Sequence, residues 1–452
     1  MSSQITPPTC SPAKAGVQGA RSPTRPWPPA FAGALLAIWL ALFSLPAFAQ
    51  PTPAYHSRAQ QLVRILSAPG QEADFFSDLF LKAVPTEQWR AVAADLRQQN
   101  GKPLALGAVR QDGATAGQVE IRYEHATIGF ILVVAPAAPN RVIGLRIVGV
   151  ARANDSMDKV MAELAALPGH TAFAAAKLTD AGPQLLHARA PDAQMATGSS
   201  FKLYILAEAA RAVAAGDRHW SDVLPLAHKS FSGRLMTYPD NAPMTLHSLA
   251  AAMIAESDNS AADSLLWALD RDKVDAVLAE TDHASPDKAL PLLTTAEAFA
   301  LKMPVNAPLR ARYAEASPAA RRALLGDNAA RLAPSAIDIG SIAETPTAID
   351  QIEWFASPMD EIRLLDHLRR QDGEALAILA INPGIAPADA KRWAYLGYKG
   401  GSEPGVIAMN ALARAKDGGY YAVSGIWNDP AARVDDAKFV ALMTRALNLL
   451  SE

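Results

Sequence analysis

The chain has 452 residues, half of them hydrophobic, enough for two or three separate cores. Its formal net charge is −3, without the basic excess that nucleic acid or an anionic membrane surface selects. Cys10 is the single cysteine, so a disulfide within the chain is excluded.

A targeting pattern comes first. Lys14, Arg21 and Arg25 supply positive charge, and no acid precedes Glu72. Phe31 to Leu45 is an apolar run of signal-peptide length, short for a membrane span. Ala47-Phe48-Ala49 is a small-x-small cleavage site, so residues 1–49 read as a signal peptide and the mature chain begins at Gln50. This predicts a periplasmic or secreted protein with no stable membrane insertion; an uncleaved anchor is the alternative. No cysteine follows the cut, which argues against lipid attachment. Pro51-Thr52-Pro53 reads as a short linker.

Residues 50–151 are expected to form a first domain. Apolar faces such as Leu62, Ile65 and Leu66, then Phe75 to Leu81, then Trp89, Val92 and Leu96 predict helices, with Thr86 as a cap and Asn100-Gly101 as a stop. The period then changes to two. Leu104–Val109, Gln118–Tyr123, Ile128–Val134 and Val142–Val148 read as strands. Helices followed by antiparallel strands predict a small α+β domain. In pattern it resembles cone-like domains of the nuclear-transport-factor and steroid-isomerase type. Glu124 and His125 read as an exposed hairpin turn rather than an acid–base pair.

Residues 152–452 are expected to form a second domain. A helix from Met157 to Leu167 leads into a hairpin, Thr171–Leu178 and Gln184–Arg189. Thr197-Gly198-Ser199-Ser200-Phe201-Lys202 opens a helix that is apolar all round, hence buried. Ser199 and Lys202, three apart, share a face. A serine hydroxyl needs a base to become a nucleophile, and burial makes a lysine one. A capping serine with a snorkelling lysine is the plainer reading of that stretch alone.

Thr245 caps a helix that stops at Ser257-Asp258-Asn259, and Ser260 to Asp263 reads as the capping box of the next helix. Polar side chains on a tight turn between buried helices are rigidly mounted, though ordinary helix turns use the same residues. Ser357-Pro358-Met359-Asp360 is a further helix start. Tyr398-Lys399-Gly400-Gly401-Ser402 lies in a strand region, where paired glycines admit a close neighbour. Strands from Gly405 to Lys416 and Tyr420 to Trp427, and a helix from Asp435 to Leu450, end the chain.

Ser199-x-x-Lys202, Ser257-Asp258-Asn259 and Lys399-Gly400-Gly401 together resemble, in order, the three motifs of penicillin-recognising serine enzymes, with a class A β-lactamase spacing between the first two. The resemblance covers about 155–452. It implies an α/β fold of the β-lactamase/transpeptidase type, an antiparallel sheet plus a helical subdomain. It also implies Ser199 as acylated nucleophile, Lys202 as base, Ser257 as proton bridge and Asn259 with Lys399 to Ser402 as substrate contacts. The backbone N–H groups of Ser199 and Ser402 would form the oxyanion hole.

Two departures stand out. No Glu-x-x-Leu-Asn setting for a deacylating glutamate occurs between Asn259 and Thr294, where Glu280, Asp282 and Asp287 are the nearby acids. Thr294 to Glu297 looks like the cap that follows that loop, and Ala343–Leu368 looks like extra length. Gly400 also stands where a hydroxyl residue is usual, removing a contact to a substrate carboxylate. The layout is similar to the two-domain β-lactamase-like hydrolase type of the clavulanic acid cluster, associated with ester cleavage. The expected ligand is a small acyl compound, a β-lactam or an ester, with slow deacylation and no metal or cofactor. An esterase or peptidase, and a non-catalytic β-lactam or peptidoglycan binder, are the alternatives.

Overall fold

The computed structural model describes residues 51–451 except 153, 342, 343 and 372. The signal peptide and cleavage site expected within 1–49 lie outside the described residues.

Four helices, α1 (Pro53–Ser67), α2 (Glu72–Phe75), α3 (Asp78–Ala83) and α4 (Thr86–Asn100), precede four strands. These are β1 (Pro103–Asp112), β2 (Ala116–Tyr123), β3 (Ala126–Val134) and β4 (Val142–Arg152), antiparallel in the order β1-β2-β3-β4. Along β3 the period of two turns Ala126, Ile128, Phe130, Leu132 and Val134 inward. Tyr55, Leu62 and Leu66 of α1 join them in one core, where the Tyr55 hydroxyl donates to Leu132 O at 3.1 Å. Thr86 is not a cap. It is the first helical residue, and Pro85 takes the cap position without a side-chain hydrogen bond. Glu124 and His125 lie exposed at the β2–β3 turn.

The second half is built on one antiparallel sheet. After α5 (Met157–Ala165) come β5 (His170–Thr179), β6 (Gly182–Arg189) and the short β7 (Met195–Ala196). A helical stretch follows: α6 (Lys202–Ala214), a ribbon of β8 (Val223–Pro225) and β9 (Pro243–Thr245), then α7 (Leu246–Ala255), α8 (Asn259–Ala268), α9 (Arg271–Glu280), α10 (Pro286–Ala289), α11 (Thr295–Lys302), α12 (Ala307–Glu315) and α13 (Pro318–Asp327). The chain returns through β10 (Phe355–Ala356), α14 (Pro358–Arg369), α15 (Gly373–Leu379) and α16 (Pro387–Ala390) to β11 (Tyr395–Glu403), β12 (Val406–Arg414), β13 (Tyr420–Asn428) and α17 (Asp436–Leu450).

Strand order is β11-β12-β13-β5-β6, so strands distant in sequence pair at the middle, Val423 opposite Ala175. One core joins the sheet to α6, α7, α8 and α14, and another joins it to α5 and α17.

Two local expectations change. The cap of α8 is Asp258, which accepts from Ala261 N at 2.9 Å; Ser260 and Asp263 turn inward instead. The segment 343–368 is not wholly extra. Phe355 and Ala356 pair with Ala196 and Met195, and α14 packs on β5, β13 and α6. Between α11 and β10 lie α12, α13 and several short 3-10 turns.

Candidate active site

Ser199 sits in a short 3-10 turn, Gly198–Phe201, that runs into α6. Gly198 takes φ +52, and a Cβ there would lie 3.1 Å from Ser402 N. Gly401 is tighter still: a Cβ would lie 2.3 Å from Ser199 N and 2.1 Å from Thr197 O. The paired glycines therefore let β11 press against the nucleophile turn, which brings the backbone amides of Ser199 and Ser402 to the same place.

Lys202, the first residue of α6, is fully buried. Its Nζ lies 2.6 Å from Ser257 O, 2.6 Å from Asn259 Oδ1 and 3.1 Å from Ser257 Oγ. Burial pushes it down to about 7, with Asp263 and Asp258 pulling the other way. A neutral amine has two N–H bonds and one lone pair. The two carbonyl oxygens, which only accept, take the two hydrogens, and the lone pair is left for a hydroxyl. No hydrogen bond holds Ser199 Oγ among the described residues, so its hydroxyl is unspent.

Ser257 is held at φ +55, a left-handed backbone uncommon outside glycine and asparagine. Its Oγ stands between two lysines, 3.1 Å from Lys202 Nζ and 3.1 Å from Lys399 Nζ. Lys399 also donates to Gly400 O. Burial, then the charge of Lys202, hold Lys399 well below the usual lysine range, and Glu361 acts against them. Two amines on one hydroxyl, neither in water, form a path for a proton rather than a pair of fixed charges.

The loop 228–233 closes the site from the helical side. Asp258 accepts from Leu235 N at 2.9 Å, and Gly233, at φ +96, packs flat on the Asp258 carboxyl. That contact brings Ser232 in, and Asn259 Nδ2 donates to Ser232 Oγ at 2.8 Å. The amide of Asn259 is thus fixed at both ends, oxygen on Lys202 and nitrogen on Ser232. Deeper, Asp263 accepts from Thr295 N at 2.7 Å and Ala296 N at 3.1 Å, tying α8 to α11.

A buried ion cluster lies behind the nucleophile turn. Glu353 Oε2 accepts from Gly198 N at 3.1 Å, and Glu353 Oε1 meets Lys302 Nζ at 2.7 Å. Lys302 also pairs with Glu403 at the end of β11. Burial works against the Lys302 charge, but Glu353 and Glu403 outweigh it and raise its pKa. Burial and the nearby Glu353 push the Glu403 carboxyl well above the usual range. Thr197 N and Oγ1 both donate to Trp354 O, and the Trp354 ring stacks on Phe201 at 4.1 Å.

Of the residues expected from sequence, Lys202, Ser257, Asn259 and Lys399 meet through side chains, and Ser199, Gly401 and Ser402 through backbone. Gly400 does not open a pocket. A Cβ there would lie 2.0 Å from the Tyr398 hydroxyl, so Tyr398 fills that side of the strand. Glu280, Asp282 and Asp287 are exposed, and no carboxylate hydrogen-bonds to Lys202, Ser257 or Lys399 among the described residues. Ser232, Lys302, Glu353 and Glu403 were missed. They belong to no motif, although Gly233 next to Ser232 is a turn signal. Among the described residues no cluster of three or more His, Cys, Asp or Glu is placed to hold a metal ion.

Residues 155–333 match the family model described as "Beta-lactamase enzyme family". That stretch, within the second half of the chain, is similar to β-lactamases. The fold there is α/β, a five-stranded antiparallel sheet with helices. Similar solved structures include a β-lactamase from Sphaerobacter thermophilus DSM 20745, at 18% identity and TM-score 0.43, covering 66% of this chain and 96% of that one. Another is a β-lactamase from Chitinophaga pinensis DSM 2588, at 16% identity and TM-score 0.43, covering 65% and 98%. A third is PBP-A, at 14% identity and TM-score 0.43, covering 65% and 93%. No curated protein matches the chain.

Proposed function

We propose that this protein is an exported β-lactamase-like hydrolase that works through an acyl-enzyme on Ser199 and releases the acyl group slowly. The observation that carries the reading is the buried Lys202 amine, one turn from Ser199, with Nζ at 2.6 Å from Ser257 O, 2.6 Å from Asn259 Oδ1 and 3.1 Å from Ser257 Oγ.

Lys202 Nζ takes the Ser199 Oγ proton as Oγ bonds to the acyl carbon. The oxyanion that forms is held by the N–H groups of Ser199 and Ser402. The leaving nitrogen or oxygen receives its proton from Ser257 Oγ, which regains one from the Lys202–Lys399 pair. Water must then break the acyl ester. No carboxylate hydrogen-bonds to Lys202, Ser257 or Lys399 among the described residues, so the lysine amine is left to take that water's proton, which supports slow deacylation. An N-terminal domain over 50–151 is assigned a structural or substrate-restricting role.

A second reading, esterase or peptidase action on small or cell-wall acyl compounds, is favoured by Tyr398. Its hydroxyl leaves no room for a threonine or serine at Gly400, so that contact to a substrate carboxylate is absent.

Intact mass against time after mixing with a penicillin, beside Ser199→Ala, tests the proposal. A persistent adduct on the wild type alone is expected. Consumption of the drug by an unmodified protein overturns slow deacylation; neither adduct nor consumption overturns the β-lactam reading and leaves the ester one.

A further inference from the structure

A cavity of about 600 Å³ lies against the strand that leads into Ser199. Its wall includes Met195 and Ala196 of β7 and Phe355 of β10, the ribbon that carries the nucleophile turn at its end. Asn428, also in the wall, grips that ribbon from the sheet: its Oδ1 accepts from Ala196 N at 2.9 Å and its Nδ2 donates to Ala196 O at 3.0 Å. Ser199, Lys202, Ser257 and Lys399 do not line it.

The lining has two parts. Met195, Phe355, Ile349 and Ala193 make an apolar surface. Arg189 and Lys288 add two cations against the single acid Asp350. Arg189 spends only Nε within the protein, on Thr171 Oγ1 at 2.9 Å, so the outer edge of its guanidinium fork faces no partner among the described residues. Lys288 lies with Nζ 4.6 Å from the centre of the Phe355 ring, and its one hydrogen bond, to Gln194 O, is long at 3.5 Å. A guanidinium fork and an ammonium across an apolar cavity match a carboxylate attached to an apolar body.

We propose that this cavity is a second ligand site, separate from the Ser199 cleft, for a small apolar carboxylate. Arg189 and Lys288 hold the carboxylate, and the body rests on Met195 and Phe355, against the ribbon that carries Ser199.

Dansylglycine, an aromatic carboxylate whose fluorescence rises on burial, is the probe. Titrated into the full chain, it is expected to bind saturably. Arg189→Met and Lys288→Met are each expected to weaken it by roughly tenfold, the worth of a hydrogen bond to a charged group. Ala193→Trp, which fills the cavity, is expected to abolish binding, and Lys399→Met to leave it unchanged. Lys288 is exposed, so its variant keeps the test open if Arg189→Met misfolds. No saturable binding, equal affinity in Lys288→Met and Arg189→Met, or a loss in Lys399→Met that places the probe in the Ser199 cleft overturns the proposal.

Discussion

At the scale of single residues, the site depends on one amine being neutral. Lys202 is pushed down to about 7, whereas a solvated lysine titrates at about 10.4. A base works only when deprotonated. Acylation is therefore expected to fall about tenfold per pH unit below 7 and to level off above it. Adduct formation with a penicillin across pH 5 to 9 reads this directly, and a flat profile would sink the assignment of Lys202 as base. Gly401→Ala tests the close approach of β11. Its Cβ meets backbone atoms of Ser199 and Thr197, which cannot swing aside as a side chain would. We expect acylation to drop by about a hundredfold, as a misplacement of about an ångström does, with far-ultraviolet circular dichroism unchanged. Wild-type acylation in that variant would show that the turn has slack. These residues were legible because each motif is short: Ser199 and Lys202, or Ser257 to Asn259, are set close by one turn of chain. Ser232 was not, because only the fold of loop 228–233 over Asp258 carries it to Asn259.

At the scale of elements, Lys302 ties the end of α11 to the segment before β10 and to the end of β11. Lys302→Met leaves two buried carboxyls without their cation and is expected to cost about 3–5 kcal/mol. Glu403→Gln behaves differently. Burial and the neighbouring Glu353 raise the Glu403 carboxyl well above the usual range, so a neutral amide there is expected to cost less than the loss of Lys302. Urea unfolding at pH 7 compares the two, and equal losses would overturn that ordering. The sign for pH follows. Because the folded pKa of Glu403 is raised, the folded state binds the proton more tightly, and this group's contribution is lost as pH rises above the unfolded carboxylate value. Sequence reading located α11 and α14 by their caps, Thr294 with Glu297 and Ser357 with Asp360. Both carry the same cap chemistry. What distinguishes them is pairing: β10 before α14 joins β7, and nothing local in Phe355-Ala356 specifies that partner.

At the scale of the whole molecule, residues 53–152 bury a core of their own, with Tyr55, Phe76, Trp89 and Phe130, that shares no member with the cores on the two sides of the five-stranded sheet. Separate cores melt separately when little apolar surface joins them. Calorimetry is expected to show two transitions, of which a Ser199 adduct moves only one; a single transition shifted as a whole would mean the halves unfold together.

The sequence by itself determined the elements and the order of the chemistry. The period of two in β1 to β4, the all-round apolar α6 and the three ordered motifs rest on contacts within a few residues, which local physics dictates. Tertiary structure decided the rest. The desolvation that lowers Lys202, the meeting of Ser199 N with Ser402 N, and the Glu353–Lys302–Glu403 cluster all need segments far apart in sequence to be pressed together. Burial and charge act through distance in space, and spacing along the chain does not record it.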